Sequence, residues 1–218
     1  MRLLRQADDV LRGAPARAAG VRLHLLAGLL LGCGLFYGSV MGTFGGVTGD
    51  RLWQVVYSAV KVPLLLGVTF LLSLPSFFVL NTLLGVRDDF AAVLRALLAS
   101  QAGLTVILAA LAPYTVLWYA SFTDYAAALL FNALMFAVAS IAAQGLLWRG
   151  YQPLIARRPV HRWLLRLWLV VYAFVGIQMG WVLRPFVGVP GLPVRFFRED
   201  TWDNAYVIVA RLIWQSLP

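Results

Sequence analysis

Five long apolar stretches dominate the chain, and short segments rich in charge, glycine or proline separate them. Each stretch has at least the roughly 20 residues that an α-helix needs to cross the hydrocarbon core of a bilayer. Because lipid offers no hydrogen-bond partners to an open backbone, apolar stretches of this length predict transmembrane helices. The predicted spans are residues 21–47, 55–85, 97–122, 125–148 and 163–183.

The second stretch, residues 55–85, contains polar and helix-breaking residues within its apolar run: Lys61, Pro63, Pro75 and Asn81. Each proline removes a backbone donor, so a kink is expected at both. A lysine inside a span is costly in lipid and marks a partner or a pathway. Since Lys61 lies only a few residues inside the span, either its long stem extends to the membrane interface or its ammonium group forms a buried ion pair.

Glycines recur at helical spacing in two of the predicted spans. The residues concerned are Gly34, Gly38, Gly42 and Gly46 in the first span, and Gly176 and Gly180 in the fifth. In lipid, small residues let two helix backbones approach closely. These glycines are therefore predicted to form helix-packing surfaces. The cluster of glycines from residue 42 to residue 49 has an alternative interpretation, since it could equally be where the first helix ends in a loop.

Both ends of the chain carry amphipathic sequence. Residues 2–20 place apolar side chains at three- and four-residue steps among arginines, which is typical of a helix lying on the membrane, with a frayed terminus as the alternative. Residues 201–217 are apolar but too short to span, and their aromatic side chains favour the interface. We predict surface segments at residues 1–20 and 194–218 around a transmembrane domain at residues 21–193. The predicted fold class is an all-α integral membrane protein, a bundle of about five transmembrane helices.

The composition agrees with this fold class and excludes others. Of the 218 residues, 61% are hydrophobic and 12% are charged, with a mean hydropathy of +0.82. Soluble domains have roughly 45–50% apolar and about 25% charged residues. The net charge of +9 is carried by arginines between the spans, so nucleic-acid binding is not expected. Cys33 is the one cysteine, which excludes an internal disulfide and a thiolate metal cluster.

Basic residues are distributed unequally between the two sides of the predicted bundle. If the N-terminus is cytoplasmic, twelve of the eighteen Lys and Arg residues fall on the inner side, and residues 149–166 form the most basic loop. Because basic loops stay in the cytoplasm, we expect a cytoplasmic N-terminus and a periplasmic C-terminus in a bacterial inner membrane. In this arrangement Lys61, Asp124 and Arg184 lie near the outer face, and we predict that they form an ionic cluster.

The sequence lacks the motifs of the common catalytic and metal sites. The two histidines, His24 and His161, have no second ligand at helical spacing, so a metal site is not expected. No Gly-x-Ser-x-Gly elbow and no glycine-rich phosphate loop occurs. Asp88 and Asp89 lack the further aspartates of magnesium-dependent transferases, and we interpret them as favourable charges near the start of the third span. We therefore expect neither an enzyme nor a bound cofactor.

Two segments resemble known membrane proteins. Residues 61–85 (KVPLLLGVTFLLSLPSFFVLNTLLG) and 178–198 (QMGWVLRPFVGVPGLPVRFFR) resemble a group of uncharacterised bacterial multi-span proteins. The layout, with residues 83–85 leading to Phe90 and a third span broken at Pro113, is similar to that of Yip1-type membrane proteins. The resemblance to Yip1-type proteins implies a role in organising membranes or binding partners, and it assigns no role to an individual residue.

Taken with the packing glycines, these features predict a non-catalytic membrane subunit or scaffold. It would pack in the lipid bilayer with itself, as a homo-oligomer, or with partner membrane proteins. The alternative is a channel or transporter component that uses the kinked second span. Transporters usually contain internal repeats with broken helices in corresponding places, and we find no convincing repeat in this sequence.

Overall fold

The five apolar stretches fold into five long helices. The structure is a computed structural model that describes residues 8, 23–189, 191 and 193–197, and within these residues the regular secondary structure is entirely helical. Each helix is long and apolar enough to cross a membrane. The helices are α1 (Leu23–Gly42), α2 (Arg51–Leu83), α3 (Phe90–Ser121), α4 (Tyr125–Arg157) and α5 (Val160–Val182), with a 3-10 turn at Arg87–Asp89. The predicted fold class, an all-α multi-pass membrane protein, is confirmed.

Several helices extend beyond the predicted spans. α3 begins at Phe90, well before residue 97, and α4 ends at Arg157, well after residue 148. At 1.5 Å per residue, the 33 residues of α2 measure about 50 Å, whereas a hydrocarbon core is roughly 30 Å thick. Hydropathy marks the part of a helix that lipid covers, but the hydrogen-bonded helix continues through the charged residues on either side.

The connections α2–α3 and α4–α5 lie at one end of the bundle, which we call the arginine end. Arg158 joins the two connections, because its Nη1 donates a hydrogen bond of 2.9 Å to the carbonyl of Gly85. The prediction that residues 149–166 form a basic loop is wrong, since residues 149–157 belong to α4 and residues 160–166 to α5. A connection of two residues is enough because both helices continue past the apolar core.

Local sequence explains where two of the helices end or begin. Gly85 follows α2 with a φ of +68°, a conformation that favours glycine. The backbone N–H of Gly85 donates to Thr82 and that of Val86 donates to Asn81, the hydrogen-bond pattern of a Schellman motif. At the start of α4, the carboxylate of Asp124 accepts a hydrogen bond of 2.7 Å from the backbone N–H of Ala127.

The helices pack in a curved row with the order α4, α3, α1, α2 and α5. α1 contacts both α2 and α3, α3 also contacts α4, and α5 packs mainly against α2. Near the arginine end, buried residues of α2, α3, α4 and α5 form a shared core around Tyr151 and Trp168. Elsewhere α4 and α5 contact each other little, and among the described residues the bundle is open between them.

The two predicted surface segments lie almost entirely outside the described residues. Of residues 1–20 the structure describes Asp8, which is helical. Of residues 194–218 it describes residues 194–197, where the ring of Phe196 packs edge-on against Tyr57 of α2 at 5.3 Å between centroids. The chain after α5 therefore returns to the surface of α2.

Candidate functional site

The side chain of Lys61 is fully buried in the protein, with 0% exposure. Its Nζ donates a hydrogen bond of 2.7 Å to the carbonyl oxygen of Pro185 and lies 4.9 Å from the centre of the Phe196 ring. A carbonyl dipole and the face of an aromatic ring both stabilise an ammonium charge. The expectation that Lys61 extends to the membrane interface is wrong, because the chain after α5 covers it.

The prediction that Lys61, Asp124 and Arg184 form an ionic cluster is also wrong. Asp124 is exposed and caps α4, and the guanidinium of Arg184 stacks on Trp181 with its Cζ 3.2 Å from the ring centre. The structure describes all three residues of the predicted cluster, and no ion pair joins any two of them. Predicted placement on one side of a membrane does not bring side chains together when the chain presents them in different directions.

Lys61 is the last of four residues on one face of α2 that we call the polar stripe. Its members are Arg51, Gln54, Ser58 and Lys61, which are spaced by three or four residues. All four donate to backbone carbonyls of residues 185–189, which we call the carbonyl segment. Lys61 donates to Pro185, Ser58 and Gln54 to Phe186, and Arg51 to Val189. Because the carbonyl segment forms neither helix nor strand, the polar stripe supplies the donors that its backbone requires.

The predicted packing glycines occupy different environments. A Cβ at Gly38 would lie 2.8 Å from the Cα of Ala59, and one at Gly42 would lie 2.5 Å from the Cα of Val55, so both glycines lie directly against the backbone of α2. Gly34 similarly lies against Pro63 at 3.3 Å. These distances describe a close contact between α1 and α2, in the same chain.

The other three predicted glycines make no close contact with another helix in the described part of the chain: Gly46 fits the alternative of a loop after the first helix, and for Gly176 and Gly180 helix packing stays a prediction. Gly46 lies in the turn after α1 with a φ of +108°, where glycine is needed for the backbone conformation. Gly176 has only an ordinary contact with Thr69 at 3.5 Å, and Gly180 has open space around it among the described residues. Glycine spacing identifies a helix face, but whether another helix lies on that face depends on the fold.

A second polar cluster joins the two connections at the arginine end. The Nε2 of His161 lies 3.1 Å from a carboxylate oxygen of Asp89, and the Nε of Arg158 lies 3.9 Å from the same oxygen. His161 is fully buried at the start of α5. The described residues contain no group of three His, Cys, Asp or Glu side chains that could hold a metal ion. The cluster therefore ties α3 to α5.

A third polar network connects α1, α3 and α4 near the opposite end of the bundle. The amide of Asn132 accepts from the hydroxyl of Tyr37 at 3.3 Å and donates to the hydroxyl of Tyr119 at 2.6 Å. Tyr37 and Asn132 are both buried. The same amide donates to the carbonyl of Ala128, so its donors and acceptor are all used within the protein. This network stabilises the packing of α4 on α3 and α1.

A groove runs along α4 where the bundle is open. Its larger part, with a volume of about 480 Å³, lies between α4 and α5 and is closed at the bottom by α3. A second cavity of about 220 Å³ shares the lining residue Phe136 with it and extends to Leu129, next to α2 and the carbonyl segment. We call the two parts together the α4 groove. From Leu129 to Leu147 it follows about 28 Å of helix, close to the roughly 30 Å of a hydrocarbon core.

The larger part of the α4 groove contains uncharged polar side chains. Gln101 of α3 lies at its base with 7% exposure, and one end of its amide is held by the hydroxyl of Tyr172 at 2.9 Å. The other end of that amide has no partner among the described residues. Ser140 and Gln144 of α4 also line the groove, and neither side chain has a hydrogen-bond partner in the described part of the chain. Unpaired polar groups are costly in lipid.

The α4 groove is not evident in the sequence. The available signal was the presence of uncharged polar residues, Gln101, Ser140 and Gln144, deep within predicted spans. That signal does not reveal whether such residues face a neighbouring helix, as Asn132 does, or an open groove. The order of the helices in the bundle decides between the two.

Comparison of the chain with protein-family models, with curated proteins and with solved structures found no match.

Proposed function

We propose that this protein is a non-catalytic membrane subunit or scaffold that acts by binding another membrane-embedded helix in the α4 groove. The observation that carries the proposal is the set of unpaired polar groups of Gln101, Ser140 and Gln144 in a groove nearly as long as the bilayer core is thick. Helices associate in lipid through close packing and interhelical hydrogen bonds, and the groove offers both kinds of contact. The resemblance to Yip1-type proteins supports the same kind of role.

The geometry around α2 supports a scaffold over the alternative of transport along the second span. The transport interpretation depends on Lys61 reaching a pathway. Lys61 is instead used, together with the rest of the polar stripe, to hold the carbonyl segment. The polar stripe of α2 therefore has a structural use, and the unpaired polar groups that line the α4 groove lie on other helices, α3 and α4.

We propose a bacterial inner membrane location with the N-terminus in the cytoplasm and the C-terminus in the periplasm. The arginine end supports this orientation, because the connections and the adjoining turns of the helices there carry several arginines, including Arg87, Arg95, Arg149 and Arg157. The opposite end has fewer basic residues, and Lys61 among them is buried. Basic residues next to membrane spans are retained on the cytoplasmic side.

A photo-crosslinking amino acid at Ser140, in the full chain expressed in its native membrane, tests this proposed function. We expect a crosslinked polypeptide adduct at Ser140, because the side chain faces the α4 groove. The control position is Leu134, which is 54% exposed on another face of α4 and does not line the groove. Capture of lipid alone at Ser140, or equal polypeptide capture at both positions, would contradict a helix-binding groove.

A further inference from the structure

Two glutamine side chains that line the α4 groove, Gln101 and Gln144, have hydrogen-bonding groups without a partner among the described residues. One polar side chain from another helix could bond to both. Gln101 lies at the base of the groove with half of its amide unpaired, and Gln144 lies exposed on the wall formed by α4. Both line the same cavity, and each lies a similar number of residues from the arginine end of its helix, α3 from Phe90 and α4 to Arg157, so they lie at similar height along the bundle. Each requires an uncharged hydrogen-bonding partner at that height.

A second copy of the chain supplies such a partner. Copies inserted in the same orientation and related by a two-fold axis along the membrane normal present each residue at the same depth, and each surface contacts its own counterpart. The Gln144 side chain of the partner would therefore arrive at the depth of Gln101 and Gln144. A symmetric contact would satisfy the amides of both copies at once.

The rest of the groove is suited to a closely approaching helix. Its walls carry the small residues Ser140 and Ala143 on α4, and Ala173 and Gly176 on α5. Small residues allow the backbone of another helix to come near. The side chains that line the groove include no charged group, which matches an uncharged polar helix such as α4.

We infer that the protein forms a two-fold symmetric homodimer in which α4 of each copy lies in the α4 groove of the other, with Gln144 bonded to Gln101 or Gln144 of the partner. This inference rests on the proposed function and names the occupant of the groove. The occupant is a second copy, because the chain itself carries both halves of the contact. Gln101 offers an unpaired amide group at the base of the groove, and Gln144 offers one on α4 at a similar height.

Thiol crosslinking in native membranes tests the contact. In the full chain with Cys33→Ser, the variant Gln144→Cys should form a covalent dimer at twice the monomer mass when treated with a short bifunctional thiol reagent. Ala142→Cys is the matched control, since residue 142 is exposed at nearly the same depth but does not line the groove. Equal dimer yields at the two positions would overturn the inference.

The strength of association provides a second measurement that does not depend on crosslinking geometry. Energy transfer between labelled chains in lipid vesicles gives the monomer–dimer equilibrium. Gln144→Leu should weaken dimerisation by about 3-fold to 30-fold, the range expected from losing an interhelical hydrogen bond in lipid. Ala142→Leu should leave it unchanged. Because both residues are exposed, neither variant should impair folding, and dimerisation of Gln144→Leu as strong as that of the unmodified chain would overturn the inference.

The two proposals fail in different ways. If the photo-crosslinker at Ser140 captures a different membrane protein and no second copy, the homodimer is wrong and the helix-binding groove is supported. A crosslink from Ser140 to residues 198–218 of the same chain would also exclude the second copy as occupant. If no polypeptide is captured at Ser140, both proposals are wrong.

Discussion

Lys61 illustrates how a charged residue can be accommodated in a membrane bundle without an opposite charge. Its ammonium group has the carbonyl of Pro185 at 2.7 Å and the face of Phe196 at 4.9 Å, and both are electron-rich. Hydrogen bonds that involve a charged group are stronger than those between neutral groups, so a short charged bond to a carbonyl offsets part of the desolvation cost. The lysine therefore serves to attach the carbonyl segment to α2.

Substituting Lys61 tests this role. Lys61→Met keeps most of the side-chain volume but removes the donor to Pro185, so we expect a loss of about 1–3 kcal/mol of stability. Asp124→Asn should have little effect, because asparagine caps helices about as well as aspartate. Thermal unfolding in detergent measures both, and the effects in the double variant should simply add. Recovery of stability in the double variant would instead indicate that the two charges are paired.

At the scale of elements, the contact between α1 and α2 depends on residues without bulky side chains. From the N-terminal to the C-terminal side of α1, Gly34 lies against Pro63, Gly38 against Ala59, and Gly42 against Val55. The antiparallel order of these pairs means that the closest approach extends over two turns of each helix. A proline that would interrupt an isolated helix thus lies at a surface where another helix packs closely.

Two glycines on α1 provide a matched comparison. A Cβ at Gly38 would collide with the backbone of α2, so Gly38→Ala should destabilise the fold by about 1–3 kcal/mol. A Cβ at Gly28 meets no atom within 4 Å, and Gly28→Ala should be neutral or stabilising by up to about 1 kcal/mol because alanine favours helix. Thermal unfolding of the two variants checks this, and equal unfolding temperatures would contradict the close contact at Gly38.

At the scale of the whole molecule, the arginine end determines the expected orientation. With Cys33 changed to serine, Thr48→Cys in the exposed α1–α2 connection should react with an impermeant thiol reagent added to intact cells. Ala156→Cys, exposed at the arginine end, should react only after the membrane is opened. The basic residues near Ala156 favour its retention in the cytoplasm. Labelling at Ala156 without labelling at Thr48 would reverse the orientation.

The number and approximate position of the helices could be predicted because they depend on local sequence. Long apolar stretches predicted all five helices, and the glycine spacing on α1 predicted a packing face that includes Gly38 and Gly42. The partners of individual side chains could not be predicted, as the hydrogen bond from Lys61 to Pro185 shows. A helix of known length and polarity can be rotated or placed beside different neighbours without any change in its hydropathy.

The sequence by itself determined that this chain is an all-α membrane protein, because lipid accepts a backbone only when its hydrogen bonds are internal. Only the tertiary structure decided that the polar stripe of α2 holds the carbonyl segment and that Asp124 caps a helix. It also decided that Gln101 and Gln144 face a groove while Asn132 faces a buried network. The physical reason is that hydropathy depends on each residue alone, whereas a hydrogen bond between helices depends on how two of them are rotated and arranged.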